Sequence, residues 1–205
     1  MIVLDTIQGE EDWHLYRTGI PTASCFKKIV TPTGKLSSTS KKYMAELIVE
    51  RLLGVQDFYQ NDWMIRGNEL EPEAIASYEA KSGFKTSKVG IILTDDMKVG
   101  ISPDAVVYND KGLIVNAVEI KCPAPTTYVE WKLEGVVPTD HYAQVQGQMW
   151  AMGLEAMDFC FYHPLIGTEI IVAKRDEKFI EKLEEAIMEF VKKLDEEYEK
   201  IKESR

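Results

Sequence analysis

Residues 99–123, VGISPDAVVYNDKGLIVNAVEIKCP, decide how this chain folds. Ala105-Val106-Val107-Tyr108 and Leu113 to Lys121 are dense in β-branched and apolar residues, which marks strands, and Asn109-Asp110-Lys111-Gly112 between them reads as a hairpin turn. Successive side chains of a strand alternate, so Glu119 and Lys121 share one face while Ile120 turns into the opposite packing layer. The hairpin brings Asp104, fifteen residues before Glu119, back beside them. Two carboxylates meeting at one spot repel each other unless a cation sits between them, and an all-oxygen donor set suits Mg²⁺ or Mn²⁺. A lysine one step away can hold an attacking water or help deprotonate it, and such a site can cleave phosphodiesters. By spacing alone, Glu-x-Lys is also the pattern of a plain cross-strand or solvated pair. Its position argues otherwise, because Glu119-Ile120-Lys121 ends the most apolar strand and runs straight into Cys122-Pro123, where strand ends often bear ligands.

Outward from this hairpin, the pattern is a mixed α/β order. A first helix is predicted over Glu10 to Arg17, broken by Gly19-Ile20-Pro21, with Thr22-Ala23-Ser24 as the cap of a second short helix. After a turn around Thr31-Pro32-Thr33-Gly34-Lys35, Ser37-Ser38-Thr39-Ser40 offers an N-cap to a helix through Tyr43, Leu47 and Leu52, and the next helix runs from about Asn68 to Ser82. Strands are predicted at Ile91-Ile92-Leu93 and Val99-Gly100-Ile101 before the hairpin. A helix near Tyr142 to Gly153 and strands near Asp158 to Tyr162 and Thr168 to Ala173 follow it. Ile180, Leu183, Ile187, Val191, Leu194, Tyr198 and Ile201 then recur at three- and four-residue steps, the stripe of a long amphipathic helix over about 176–203 that seals the core.

The chain of 205 residues is expected to form a single domain, with 45% hydrophobic and 28% charged residues as in soluble globular proteins. No apolar run approaches the ~20 residues of a membrane span, and the start, Met1-Ile2-Val3-Leu4-Asp5, lacks a signal peptide's pattern, so a cytoplasmic protein is expected. Cys25, Cys122 and Cys160 are odd in number and lack CxxC spacing, so neither a disulfide framework nor a zinc site is suggested, and the four cysteine ligands of an iron–sulfur cluster cannot be supplied. The net charge of −10 argues against DNA binding if it is spread evenly. Yet Arg17, Lys27, Lys28, Lys35, Lys41 and Lys42 occupy a stretch without a carboxylate, from Arg17 to Ala45, and the segment from Asp176 onward is rich in Glu. One basic face with an acidic exterior suits a protein that holds DNA on one side. Chance clustering on a solvated surface accounts for the charge pattern equally well.

Ser102-Pro103-Asp104, Glu119-Ile120-Lys121-Cys122-Pro123 and Ala143-Gln144-Val145-Gln146 resemble the successive signatures of the lambda exonuclease and YqaJ-like viral recombinase nucleases, within the PD-(D/E)xK superfamily. Further blocks agree in order. Trp13-His14-Leu15-Tyr16-Arg17 with Gly19-Ile20-Pro21-Thr22-Ala23-Ser24 resembles the N-terminal motif, Gly67-Asn68-Glu69-Leu70-Glu71 the helical glutamate motif, and Arg175-Asp176-Glu177-Lys178 the late strand-to-helix junction.

The resemblance implies a restriction-endonuclease-like fold, a central mixed sheet flanked by helices. It implies a Mg²⁺-dependent 5′-to-3′ exonuclease on linear double-stranded DNA that produces 3′ single-stranded overhangs for recombination. Asp104, Glu119 and the main-chain carbonyl of Ile120 would be metal ligands, Lys121 would sit at the attacking water, Glu71 would complete the site, and Gln144 would orient the water or the lysine. Arg17, Thr22, Ser24 and Ser102 match the positions that grip the terminal 5′ phosphate, for which a forked guanidinium and hydroxyls are chemically apt. Trp13, beside that arginine, is a candidate DNA contact, whereas Trp63, Trp131 and Trp150 read as core. The family motif before Ala-Gln-Val-Gln usually starts with Tyr, and here it is His141-Tyr142, which leaves the role of both rings open. His14 and His163 lack metal-ligand spacing and receive no role. A ring-shaped homotrimer and a single-strand annealing protein as partner are also implied. A structure-specific endonuclease or resolvase with the same metal site is the alternative, and a non-catalytic DNA-binding protein retaining the fold ranks below it.

Overall fold

The computed structural model describes residues 1–54 and 62–204. Its centre is a mixed four-stranded sheet in the order β4-β5-β6-β7, where β4 is Ala105–Tyr108, β5 Ile114–Lys121, β6 Ala156–His163 and β7 Gly167–Lys174. The β4–β5 hairpin closes at Asn109–Gly112, where Gly112 takes φ 74° and its N–H reaches the Asn109 carbonyl at 2.9 Å. The left-handed conformation there is open to glycine without a Cβ penalty. β6 pairs antiparallel with β7 but parallel with β5. A parallel neighbour requires a crossover, and α4, Pro125–Glu134, and α5, Thr139–Met152, lie in the connection between β5 and β6. A second, antiparallel sheet of three strands runs β1-β2-β3, with β1 at Ile2–Leu4, β2 at Ile91–Leu93 and β3 at Gly100–Ile101.

Helices cover both faces of the four-stranded sheet. On one face, Ala117, Phe159 and Phe161 join Tyr128, Val145 and Met149 in the larger core. That core extends to Tyr43 and Leu47 of α2, Ser40–Leu53, and to Leu183, Ile187 and Leu194 of α6, Glu177–Glu203. On the other face, Val118, Ile120, Cys160 and Tyr162 pack against Ala74 and Tyr78 of α3, Asp62–Ser82. Burial on both faces explains why the β5 residues from Ala117 to Ile120 are all buried rather than alternately exposed. Beneath α3, the Tyr78 hydroxyl donates to Asp158 Oδ2 at 2.5 Å and Asn116 Nδ2 donates to the same oxygen at 3.0 Å, so the buried Asp158 is satisfied.

Several expectations need correction. α3 begins at Asp62, so Glu71 lies well inside the helix and not near its start, with Pro72 also inside it. The Thr22-Ala23-Ser24 segment opens a short 3₁₀ helix over Ala23–Lys28, but no side chain caps it, and Thr39 does not cap α2 through its hydroxyl either. Asp176 does cap α6, accepting from the Phe179 N–H at 3.1 Å. Both β1 and α4 were absent from the sequence reading. Trp63 falls among side chains outside the described ones. Among the described residues no helix is long and apolar enough to cross a membrane.

Candidate active site

The end of β5 and the start of β4 place two carboxylates side by side. The Ile120 N–H donates to Asp104 Oδ2 at 2.5 Å, so the hairpin register itself docks Asp104 on the backbone of the Glu-Ile-Lys segment. Glu119 is buried, and Lys121 Nζ forms an ion pair with its Oε1. α5 completes this cluster, since Gln144 Nε2 donates to Glu119 Oε1 at 2.6 Å and Gln148 Nε2 to Oε2 at 2.7 Å. Gln144 thus turns its amide into the cluster.

Electrostatics follow from this crowding. Burial, and then the Glu119 carboxylate, push the Asp104 carboxyl up to about 8, against the opposing pull of Lys121 and the Ile120 N–H. Burial disfavours the Lys121 charge, yet Glu119 and Asp104 together hold its ammonium above the ordinary lysine range. Lys121 is thus a cation at neutral pH. It can donate hydrogen bonds and attract a phosphate or a hydroxide, but as it stands it is not a base. Burial, with Lys121 as the next cause, lowers His141 to about 4, so this ring faces the site as a neutral imidazole packed between Trp131 and Phe159 at centroid distances of 5.5 and 5.4 Å. Tyr142 has a structural job instead, with its hydroxyl on Asp176 Oδ2 at 2.7 Å and its ring against Phe179.

Asp104 borders two cavities. One, of about 340 Å³, is lined by Gly67, Asn68, Glu71, Asp104, Ile120 and Lys121, with Cys122, Pro123 and Trp131. The other, of about 780 Å³, is lined by Asp104, Asn68 and Glu71 together with Trp13, His14 and Arg17. A third cavity of about 200 Å³ continues from Arg17 and His14 to Thr22, Lys28 and Tyr43. Asp104 and the arginine thus line one cavity. Glu71 lines two of them, but its carboxylate is held by Lys88 Nζ at 2.7 Å.

The arginine is positioned by aromatic packing. Its guanidinium carbon lies 3.8 Å from the centre of the Trp13 ring, a cation–π contact, and the Trp13 indole N–H donates to Ser102 Oγ at 3.0 Å. α1, Glu11–Arg17, and the segment before β4 are tied together through this tryptophan. Ser24 is exposed and reaches Thr22 hydroxyl to hydroxyl at 3.4 Å. Trp13, Arg17 and Ser102 are brought together, Thr22 shares a cavity with Arg17, and Ser24 touches the group only through Thr22.

Sequence reasoning missed Gln148, Lys88 and Arg66, whose guanidinium donates to the Cys122 carbonyl at 2.9 Å. For Gln148 a signal existed, because it stands four residues after Gln144 on the same helical face. Lys88 and Arg66 had none, since their places are set by long-range packing.

The sequence profile of the YqaJ-like viral recombinase domain matches residues 12–155. No curated protein is similar enough in sequence to count as a match. Among solved structures, the chain is similar to an alkaline exonuclease, LHK-Exo, from Laribacter hongkongensis, with a TM-score of 0.85 and 32% identity over 95% of this chain and 97% of that one. The same enzyme in complex with dAMP matches with a TM-score of 0.84, again at 32% identity and with coverage of 95% and 97%. A phage related exonuclease from Haemophilus somnus 129PT shares the fold, with a TM-score of 0.66 and 20% identity over 89% of this chain and 96% of that one. The profile match over most of the chain and the identity to LHK-Exo over nearly all of it establish that this chain belongs to the YqaJ-like viral recombinase family.

Proposed function

We propose that this chain is a Mg²⁺-dependent nuclease that degrades linear double-stranded DNA from its 5′ ends and leaves 3′ single-stranded overhangs. The observation that carries the reading is the meeting of Asp104, Glu119, Lys121 and Gln144, with Asp104 lining the same cavity as Arg17. The 32% identity to an alkaline exonuclease along nearly the whole chain supports it.

The donors suit a hard divalent cation. Asp104, Glu119 and the Ile120 carbonyl would hold it through oxygen, and a cation between the two carboxylates would offset both the burial and the Glu119 repulsion that together lift Asp104 to about 8. Among the described residues no group of three or more His, Cys, Asp or Glu is arranged for a metal. Mg²⁺ is commonly held by one or two carboxylates and completed by substrate phosphate and water. When bound, the ion supplies Lewis-acid charge at the scissile phosphate and eases deprotonation of water. Lys121, kept as an ammonium, orients the nucleophile and balances charge developing on the phosphate. Gln144 holds Glu119 Oε1 in place. Arg17, steadied on the Trp13 ring, together with Thr22 and the nearby Ser102 and Ser24 hydroxyls, would bind the terminal phosphate. A homotrimer encircling the duplex and a single-strand annealing partner belong to the same proposal.

The deciding experiment incubates the protein with linear and closed circular duplexes, with and without Mg²⁺, each linear strand labelled at one end. Loss of the 5′ label first, only with Mg²⁺, with the circle intact, is the expected result. Cutting of the closed circle would point to a structure-specific endonuclease or resolvase, and binding without cleavage to a non-catalytic DNA-binding protein. Either outcome overturns the exonuclease assignment.

A further inference from the structure

α5 carries three glutamines at alternate positions, and they do two different jobs. Gln146 turns to the strand-to-helix junction, donating to the Lys174 carbonyl at 2.9 Å and accepting from the Asp176 N–H at 2.9 Å. Gln144 and Gln148, four apart and therefore on one face, both reach the same carboxylate.

The two oxygens of Glu119 are not equally engaged. Oε1 takes two donors, Lys121 Nζ and Gln144 Nε2, which fill its two lone-pair directions. Among the described residues Oε2 takes one, Gln148 Nε2, and keeps a lone pair for a further partner. Gln148 is wholly buried, and its own amide oxygen has no hydrogen-bond partner among the described residues. Burying such an acceptor unpaired is unfavourable. A methionine of similar length would fill the same space without that penalty. Packing alone therefore does not explain a glutamine here, whereas its contact with Glu119 does.

We infer that Gln148 is a positioning residue that fixes the Glu119 carboxylate so that Oε2 is the oxygen presented to the divalent cation. The inference rests on the metal site proposed above. Groups that hold a ligand from behind typically change metal affinity by about 10–100-fold when removed. Gln148→Met should weaken Mn²⁺ binding by about that factor while leaving DNA affinity in the absence of metal unchanged. Activity should fall most at low Mg²⁺ and recover as Mg²⁺ is raised.

The test is calorimetric Mn²⁺ titration of wild type, Gln148→Met, Glu119→Gln and the double variant, with a melting curve of each in chelator. In the Glu119→Gln background the second substitution should change Mn²⁺ affinity no further. Unchanged Mn²⁺ affinity in folded Gln148→Met, with only a lower melting temperature, would mean a structural role and overturn the inference alone. If wild type itself takes up no Mn²⁺, the metal site beneath the inference falls with it. Should Gln148→Met not fold, Gln148→Asn replaces it, since it keeps an amide but withdraws it from Glu119 by one methylene. The same weakening is expected, and its absence overturns the assignment.

Discussion

Replacing Arg17 with alanine should separate recognition of a 5′ phosphate from general binding of DNA. The guanidinium lies 3.8 Å over the Trp13 ring, lines the cavity that holds Thr22, and forms no ion pair among the described residues. Burial lowers its pKa from the ordinary arginine value, but an arginine stays charged at working pH. A forked contact with a terminal phosphate dianion is charge-assisted, and such hydrogen bonds contribute about 1.5–3 kcal/mol. Its loss should slow attack on phosphorylated ends by about ten- to a hundredfold. Ends bearing a hydroxyl have no such contact to lose and should change little, apart from any loosening of Trp13. The assay compares initial rates of wild type and Arg17→Ala on matched 5′-phosphate and 5′-hydroxyl duplexes at one salt concentration, because phosphate contacts are strongly screened. The two substrates should converge in rate for the variant. An equal fractional loss on both would refute the reasoning and leave Arg17 as a general DNA contact or a fold residue.

Lys121→Met and Glu119→Gln should each reduce DNA hydrolysis by at least ~10²–10³ with the fold retained, as deletion of one preorganised charge does; near-normal digestion at saturating Mg²⁺ by either would remove it from the site. Asp104 gives a pH test. Its folded-state pKa of about 8 lies above the ordinary value, so the folded protein binds a proton that the unfolded chain has released. The associated stability is present in acid and is lost as pH rises from about 4 to about 8. Without divalent ions, the wild-type melting temperature should therefore fall over this range more than that of Asp104→Asn, and parallel profiles would contradict the shift. Gly147→Ala tests the packing that carries the glutamines, because a Cβ there would run into the Phe26 ring. Overpacking of this kind costs about 1–3 kcal/mol, or roughly 2–12 °C in melting temperature for a chain of this size, and an unchanged melting curve would show that the 3₁₀ segment yields without cost.

Sequence alone determined the hairpin and what it places together. Its strands, its turn and the period of two are local properties, so Asp104 meeting the Glu119 and Lys121 face follows from chain geometry, and the structure has that contact. The stripe of α6 is local in the same sense, a helical period over many turns, and Leu183, Ile187 and Leu194 are fully buried. β1 and α4 escaped notice because three residues are too short for periodicity, and Pro125–Glu134 leaves Val129 and Leu133 exposed, which blurs its apolar face. Tertiary structure alone decided the rest. It took the crossover between parallel strands to lay α5 against β5, so that Gln148 joins Gln144 on Glu119. Only the long reach of α3 set Glu71 mid-helix beside Lys88. Trp13, Arg17 and Ser102 come from segments up to 89 residues apart, joined by one indole hydrogen bond and one ring contact. Periodicity records which way a side chain points along its own element. Which partner it meets depends on how elements pack, and that is fixed by the whole core at once.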